Sequence, residues 1–292
     1  MLRYSADIKT LIYMGITTAL LITQWILGEI NIVLYIWCLF MAVAVAVITH
    51  NHNHLPIWKN KTLNILTDYW LTLFYGFPVF AWIPTHNKNH HRLNNREGDY
   101  TITYRFSEKN NLLTLLTYPT ISGYYQQKAI KDYLKEMKTK DKEKFYLCIS
   151  QYVILVLFVG LALFIDWKKA LLFVVIPQQF SLFSVLIFNY VQHVHANEES
   201  EYNHSRNFMG FLNFLLFNNG YHTIHHDKAG IHWSETPKAH QQIDHLIDNS
   251  LKEKSFWWYI IRNYFLGIFV PRYKTTSQRL ERKRKEAMSA GS

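Results

Sequence analysis

The sequence predicts an all-α integral membrane protein with four transmembrane helices arranged in two hairpins. Two observations predict this fold class. First, four stretches of the chain carry no charged residue, and each is about as long as a helix that crosses a hydrocarbon core of ~30 Å. Second, a connection of only four residues separates the members of each pair, so consecutive helices are expected to run antiparallel. The predicted spans are residues 11–27, 32–49, 145–165 and 170–192.

The first two spans follow a polar N-terminal segment, residues 1–10, that carries Arg3 and Lys9. The polar turn at residues 28–31 separates the two spans. Buried helices of a soluble protein are the alternative, but two adjacent uncharged stretches of this length are rare in soluble folds. We therefore expect the first pair to form a transmembrane hairpin.

The segment between the two hairpins is mostly polar, and its apolar part is interrupted. Residues 69–84 are rich in aromatic side chains but contain Gly76, Pro78 and Pro84. Because glycine and proline end or kink helices, this stretch predicts a short buried or interfacial helix and not a span. Residues 92–144 are polar and basic, with one amphipathic section, and are expected to lie outside the membrane.

The fourth predicted span contains a proline. Pro177 has no amide hydrogen and is expected to kink the helix, which frees a backbone carbonyl. Gln178 and Gln179 follow it directly, and one of them is expected to donate a hydrogen bond to that carbonyl.

The chain after the fourth span is predicted to form part of the same single domain, residues 1–288. Residues 208–217 are apolar but too short to span a membrane, and the aromatic segment 256–270 is expected to lie along the membrane surface. The basic segment 279–286 predicts a solvent-exposed tail. The last four residues, 289–292, have the composition of a cloning linker and are set apart.

The distribution of basic residues predicts the orientation. Of the 31 lysines and arginines, only Lys168 and Lys169 lie on the short-loop side of the hairpins. The positive-inside rule therefore places both termini and a helical cap, made of about residues 50–144 and 193–278, in the cytoplasm. Basic loops beside membrane spans account for the formal charge of +10, and no nucleic-acid-binding motif is present, so no nucleic-acid partner is expected.

Four clusters of histidines lie on this cytoplasmic side. His50 and His54 end the second span four residues apart, whereas His52 falls on another helix face. The other clusters repeat spacings of three and four, which bring side chains together on a helix. Selected in this way, the candidate metal ligands are His50, His54, His86, His90, His91, His193, His222, His225, His226 and Asn189.

Nine imidazoles are too many for one metal ion but suit two ions with four or five nitrogen ligands each. The cap is therefore predicted to hold a histidine-rich dimetal site. Neutral imidazole binds iron, zinc, copper and nickel, so the ligand type alone does not select the metal. His52, His195 and Asp227 are candidates for positioning ligand rings from behind. His204 and His232 are further candidates for that role or for surface positions. The carboxylates Glu97, Asp99, Glu198 and Glu199 are candidates too, although a solvent-exposed charge is the favoured explanation for each.

The four motifs, H-x-x-x-H, H-x-x-x-H-H, N-x-x-x-H and H-x-x-H-H, resemble those of the membrane fatty acid desaturase and hydroxylase superfamily over about residues 45–240. The resemblance implies a cytoplasmic centre of two iron ions held by the nine histidines, with Asn189 near one iron through a water. It also implies O2 as co-substrate and an unactivated alkyl chain as the group oxidised. No further catalytic residue is predicted.

Individual motifs are similar to those of different branches of this superfamily. Asn189 to His193 is similar to the alkane hydroxylases, which have Glu where Gln192 stands. The stretch HHRLNNREGDY, which begins at His90, is similar to desaturases. The segment from His222 to Trp233 is similar to bacterial desaturase-like enzymes, including fatty acid decarboxylases. We expect desaturation of a fatty acyl chain, with hydroxylation or decarboxylation to a terminal alkene as alternatives.

The expected partners follow from this chemistry. The acyl substrate is a free acid, a CoA or acyl-carrier-protein thioester, or a lipid, and residues 69–82 and 208–217 are candidate walls of its tunnel. No haem-binding region and no flavin or nicotinamide fingerprint is visible in the sequence. We therefore expect a separate electron donor, such as ferredoxin, rubredoxin or cytochrome b5, to dock on the basic cytoplasmic face.

A metal transporter or sensor is the alternative from another functional class. Transporters place ionisable ligands near the middle of the membrane, within the spans. Here the spans carry no charge, and their histidines lie at the ends. The placement therefore favours an enzyme.

Overall fold

The computed structural model describes residues 1–291 and is almost entirely helical. The α-helices are α1 Ile8–Leu27, α2 Ile32–His54, α3 Lys61–Tyr75, α4 His91–Leu93, α5 Leu112–Lys140, α6 Lys142–Ala170, α7 Ile176–His193, α8 Phe211–Leu215, α9 His222–Asp227, α10 Thr236–Ile243, α11 Phe256–Ile260, α12 Gly267–Phe269 and α13 Gln278–Ala290. Three π-helical segments are Ile83–His90, Leu171–Val175 and Ile261–Leu266. Two short parallel strands are β1 Asn207–Phe208 and β2 Lys252–Glu253.

Three stretches of the described chain are long and apolar enough to cross a membrane. They are Ser5–Leu27, Ile32–His54 and Lys142–His193. The first two contain the first two predicted spans, whereas the third contains both remaining ones. The structure therefore gives three candidate spans where the sequence predicts four.

The third candidate span is interrupted near its middle. Its 52 residues would measure about 78 Å as one straight helix, more than twice the thickness of a hydrocarbon core. At Asp166 the backbone is extended, with φ −157° and ψ 98°. The Asp166 carboxylate accepts hydrogen bonds from the amides of Lys168 and Lys169, each at 3.1 Å, and so caps the helix that follows.

The chain forms two compact units, which are described separately. Unit 1 comprises Met1–Asn87 and Gln127–Val185, and unit 2 comprises Lys88–Gln126 and the chain from Leu186 onward. Within unit 1, α2 packs against α1 and α3, and α3 packs against α6. Apolar side chains on its long helices remain exposed, for example Ile26 at 75% and Phe164 at 88%. Such surfaces are expected where helices face lipid.

A close contact inside unit 1 explains why residue 76 is a glycine. Gly76 ends α3 with φ 82°, and a Cβ atom there would clash with Cβ of Gln178. Gln178 donates a hydrogen bond through Nε2 to the carbonyl of Leu73 at 2.7 Å. Of the two glutamines expected to serve the carbonyl freed by Pro177, Gln178 instead donates to a carbonyl at the end of α3.

Unit 2 has an aromatic core. Tyr118, Tyr190 and Phe208 are buried together with Tyr259 and Tyr264. The hydroxyl groups of the tyrosines form internal hydrogen bonds. For example, the Tyr190 hydroxyl donates to Oγ1 of Thr114 at 2.7 Å. Buried tyrosines therefore keep their polar ends satisfied while their rings exclude water.

The segment from α11 to α12 has one buried face and one exposed face. Tyr259 and Tyr264 are buried in the unit 2 core, while Trp257, Phe265 and Phe269 are exposed. An exposed aromatic face on a short helical segment is typical of a helix that lies in the membrane interface.

The basic segment 279–286, predicted as an exposed tail, belongs to α13 and is tied down. Arg279 and Arg282 both form ion pairs with Glu198, whose side chain is only 2% exposed. A buried carboxylate needs such partners, which explains why the two arginines are not in free solvent. In the predicted linker, Ser289 and Ala290 continue α13, and residue 292 lies outside the described residues.

Candidate metal centre

Unit 1 contains a cluster of three histidines, the trio His50, His54 and His86. His50 and His54 lie in the last turns of α2, and His86 lies in the π-helical segment Ile83–His90. Nε2 of His50 lies 2.9 Å from Nε2 of His86. The three ring centroids are separated by 4.7 to 5.0 Å, so the rings lie next to one another.

Hydrogen bonds position the trio. Nδ1 of His50 lies 3.2 Å from Oδ1 of Asn51, to which it donates, and this leaves the Nε2 lone pair for a metal ion. Asn87, next to His86, donates through Nδ2 to the carbonyl of Asn53 at 2.9 Å. This bond joins the π-helical segment to the end of α2 and so holds His86 beside the other two rings.

Unit 2 contains a second cluster, the quartet His90, His193, His222 and His226. Its ligand atoms all lie within 4.8 Å of one another. Nε2 of His193 lies 3.1 Å from that of His90 and 2.9 Å from that of His222. Nε2 of His226 lies 3.1 Å from that of His222. The quartet thus directs four imidazole nitrogens at one point.

Oxygen atoms hold two rings of the quartet from behind. Nδ1 of His90 donates to Oδ2 of Asp99 at 2.8 Å, and Nδ1 of His193 donates to the carbonyl of His204 at 3.2 Å. Asp99 also accepts from the amide and the hydroxyl of Thr101, at 2.7 and 2.6 Å. Burial alone would raise the pKa of Asp99, but His90 and the bonds from Thr101 hold this pKa below its usual range. Asp99 therefore stays ionised and fixes the ring of His90.

His91 and His225 form a pair in unit 2. Their Nε2 atoms lie 3.0 Å apart, and the ring of His91 stacks on that of His226 with centroids 4.4 Å apart. His86, His90 and His91 are close in sequence, yet they belong to the trio, the quartet and this pair in turn. Closeness in the sequence therefore does not bring these three rings into one cluster.

These clusters fit a nitrogen-bound metal. Two nitrogens that bind one ion at ~2.1 Å with a right angle between the bonds lie ~3.0 Å apart. Five pairs of Nε2 atoms, one in the trio, three in the quartet and the pair His91 and His225, lie 2.9 to 3.1 Å apart. Burial lowers the pKa of His226 well below its usual value, and the neighbouring imidazoles lower it further. This ring is therefore neutral, as a metal ligand must be.

Asn189, the candidate for holding a water, contacts a tyrosine. Its Nδ2 donates to the hydroxyl of Tyr118 at 2.6 Å, and that hydroxyl donates to the carbonyl of Thr101 at 2.7 Å. Oγ1 of Thr101 lies 2.8 Å from Nδ1 of His90. Asn189 is thereby linked to the oxygen atoms that hold His90.

The histidines predicted to support ligand rings make other contacts. Nδ1 of His52 accepts from the amide of Ile57 at 3.2 Å, and its Nε2 lies 3.2 Å from Asp68. The two ring nitrogens of His195 lie 2.8 Å from Oγ1 of Thr275 and 2.9 Å from the carbonyl of Glu108. Both rings therefore bind to polypeptide segments outside the histidine clusters and do not support a ligand ring. Asp227 is the last residue of α9, which carries three of the candidate ligands.

Sequence reasoning missed Arg206, which holds the end of α7. Its buried guanidinium donates through Nη1 to the carbonyls of Val191 and Val194 at 3.0 and 3.1 Å. Nε of Arg206 lies 3.8 Å from the carboxylate of Glu253. Since α7 ends at His193, this cap positions a ligand helix. An arginine in a polar stretch gives no sign of burial, and Glu253 is remote in the sequence.

An apolar pocket in unit 2 lies between two segments that lead to ligands. Its polar wall includes Gln192, which precedes His193, and Gly220, which precedes α9. Its apolar walls are Phe188, Phe208, Met209, Leu212, Leu216 and Phe256. The pocket is therefore lined mostly by hydrophobic side chains and lies next to two segments that carry candidate ligands.

The sequence is similar to a known protein family over most of its length. The family described as fatty acid desaturase matches residues 25–258, most of the chain, and this range includes all nine candidate ligand histidines. No curated protein and no solved structure gives a significant match.

Proposed function

Because the chain belongs to the fatty acid desaturase family, whose members are membrane-bound non-haem diiron oxidoreductases, we propose that it uses O2 to introduce a double bond into a fatty acyl chain. The observation that carries this proposal is the convergence of imidazole Nε2 atoms at 2.9 to 3.1 Å in the histidine clusters. The quartet binds one iron, and the trio of unit 1 and the pair His91 and His225 of unit 2 are also proposed as iron ligands. Asn189 acts near one iron through a water.

The overall reaction removes two hydrogen atoms from adjacent carbons. O2 takes up these two hydrogens together with two electrons and two protons from a donor, which leaves a carbon–carbon double bond and two water molecules. The two irons, when bound, supply the oxidising power that an unactivated C–H bond requires; zinc, which has no redox chemistry, does not.

The protein's own residues hold this centre rigid and dry. Asp99 fixes the ring of His90, and Arg206 fixes the end of α7 beside His193. The buried rings of Tyr118 and Tyr190 exclude water from the core of unit 2. A rigid, dry shell limits side reactions of the oxidant with solvent.

The alkyl chain of the substrate occupies the apolar pocket of unit 2. The support is its lining: Phe208, Leu212 and Leu216 offer contacts to methylene groups, and the segments that form its polar wall continue into α9 and the end of α7. The lining of the pocket does not select a particular head group, so a free acid, a thioester and a lipid are all compatible with it.

The stretch Lys142–His193 crosses the membrane twice, which gives four spans in two hairpins. The break at Asp166 supports this, since it divides a segment too long for one crossing. The short-loop side carries only Lys168 and Lys169, so both termini and the histidines face the cytoplasm.

Electrons come from a separate acidic carrier of the ferredoxin, rubredoxin or cytochrome b5 type. The formal charge of +10 supports electrostatic docking, because opposite charges raise association rates.

Hydroxylation is the second candidate reaction. The segment from Asn189 to His193 resembles the alkane hydroxylases apart from Gln192, whose Nε2 donates to the carbonyl of Asn219 at 3.1 Å. Decarboxylation to a terminal alkene is the third candidate, from the resemblance of the segment around His222. All three reactions use the same centre and differ only in the product.

Product analysis tests the proposal. The chain is expressed in a bacterial host of known fatty acid composition, and lipids and volatile products are identified by mass spectrometry. We expect new unsaturated acyl chains that disappear with His225→Ala but persist with His240→Ala, which replaces a buried histidine outside the clusters. Hydroxylated chains or terminal alkenes would select the alternatives, and metal uptake without any oxidised product would indicate a transporter.

A further inference from the structure

His204 is a buried histidine beside the quartet that the ligand motifs do not include. It lies in the connection between α7 and β1, and its side chain is 5% exposed. Its ring centroid lies 5.6 Å from that of His226. Its backbone carbonyl accepts the hydrogen bond from Nδ1 of His193. Both its ring and its backbone are therefore next to quartet members.

The hydrogen bonds of His204 define its tautomer. Nδ1 lies 3.0 Å from the carbonyl of Glu201 and 3.2 Å from that of Ser200. A carbonyl oxygen only accepts, so Nδ1 carries the hydrogen and Nε2 carries a lone pair. His90 and His193 show the same arrangement, with Nδ1 on an oxygen and Nε2 in the quartet. A ring anchored in this way is typical of a metal ligand.

The Nε2 atom of His204 is buried and, among residues 1–291, has no hydrogen-bond partner. Leaving a buried acceptor unsatisfied costs stability, so such an atom usually has a partner. The ring nitrogens of His52 and His195, in contrast, are all within reach of polar partners. A metal ion beside His226 would satisfy the Nε2 lone pair of His204.

We propose that His204 is a fifth nitrogen ligand of the metal ion held by the quartet. This rests on the proposed function, since it requires that the quartet binds a metal ion. The centroid distance of 5.6 Å exceeds the 4.6 to 4.9 Å between neighbouring quartet rings, so metal binding draws the His204 ring inward.

Iron binding and Mössbauer spectroscopy test the assignment. Full-length wild type, His204→Ala and His204→Gln are purified in detergent and loaded with 57Fe. We expect both variants to bind iron at one of the two sites roughly ten- to hundredfold more weakly, with one spectral component altered and the other unchanged. Added imidazole is expected to restore the altered component in His204→Gly.

The matched control is His240→Ala. His240 is also a buried histidine of unit 2, but its ring lies against Tyr221 and near Asp244, and it should leave both spectral components unchanged. Full iron binding and an unchanged spectrum in both His204 variants would overturn the inference while leaving the proposed function intact. A wild type that binds no iron would instead overturn the proposed function.

A measurement on wild type covers the case in which the variants do not fold. A cryo-electron microscopy map of the iron-loaded protein shows directly whether Nε2 of His204 is bonded to a metal ion. A bond there supports the inference. An imidazole turned away from the ion, or separated from it by a water, overturns it.

Discussion

The Asp99 carboxylate accepts a hydrogen bond from Nδ1 of His90 at 2.8 Å, and the two side chains are only 0% and 1% exposed. The bond leaves Nε2 of His90 as the atom that meets Nε2 of His193 at 3.1 Å. An ionised carboxylate behind an imidazole also makes the ring a stronger ligand. Much of the geometry of the quartet therefore depends on a residue that binds no metal.

Asp99→Asn tests this dependence. The amide keeps the size of the side chain but removes its charge, so we expect roughly a ten- to hundredfold loss of iron affinity or activity. Iron content and turnover are measured on the purified variant. Asp68→Asn, which alters a different aspartate–histidine contact, is the control and should keep both values. Wild-type iron affinity in Asp99→Asn would show that the charge is unimportant.

Arg206→Met tests the cap on α7. The change removes hydrogen bonds to Val191 and Val194 and leaves Glu253 with fewer counter-charges, so we expect a loss of about 3 to 5 kcal/mol in stability. The unfolding of purified protein in detergent is followed by fluorescence. The double variant with Glu253→Met should lose less than the sum of the two single changes. Strict additivity would mean that the two charges are not coupled.

Glu198→Gln tests the attachment of α13. The change removes the buried charge that pairs with Arg279 and Arg282, so we expect limited proteolysis to cleave within α13 more readily than in wild type. Glu286→Gln is the control, since its pair with Arg282 is exposed and such pairs contribute about 0 to 1 kcal/mol. Equal cleavage rates in both variants would contradict the role assigned to Glu198.

Leu212→Trp tests the apolar pocket as the site of the alkyl chain. The larger side chain fills the pocket, and displacing two methylene groups, at about 0.8 kcal/mol each, corresponds to about a tenfold loss of kcat/KM for the longest substrates. Products from a mixture of chain lengths are compared by mass spectrometry. Phe211→Trp, at the exposed neighbouring position, should leave the length profile unchanged. An unaltered profile in Leu212→Trp would place the chain elsewhere.

Salt dependence tests the docking of the electron donor. Raising the ionic strength from ~0.1 to ~1 M shortens the Debye length from ~10 to ~3 Å, so donor-coupled turnover should fall. Activity with a small uncharged reductant serves as the control and should hold steady. Donor-coupled turnover that is independent of salt would exclude electrostatic docking on this basic protein.

The histidine motifs are predictable because local helix geometry brings side chains three or four residues apart to one face. His50 with His54, and His222 with His226, obey this rule. The partition of His86, His90 and His91 among different clusters is not predictable in this way, since it depends on where each helix packs.

Partners that are brought together only by the fold of the backbone cannot be predicted from the sequence. In the sequence, Asp99 is one of several carboxylates that could support a ligand ring. Only the backbone fold around Thr101 brings it to His90. The segment 279–286 looks like a solvated tail because Glu198, which pairs with two of its arginines, is far away in the chain. The three candidate spans, in contrast, follow from hydropathy, but hydropathy does not show that Asp166 interrupts the helix of the third.

The number of bound irons tests the central claim most directly. Metal analysis and 57Fe Mössbauer spectroscopy are applied to purified wild type and to His222→Ala, because Nε2 of His222 contacts both His193 and His226. The account predicts two irons per wild-type chain and loss of one, with its spectral component, in the variant. A folded wild-type protein that oxidises acyl chains without iron, or a variant that keeps both irons unchanged, would contradict it.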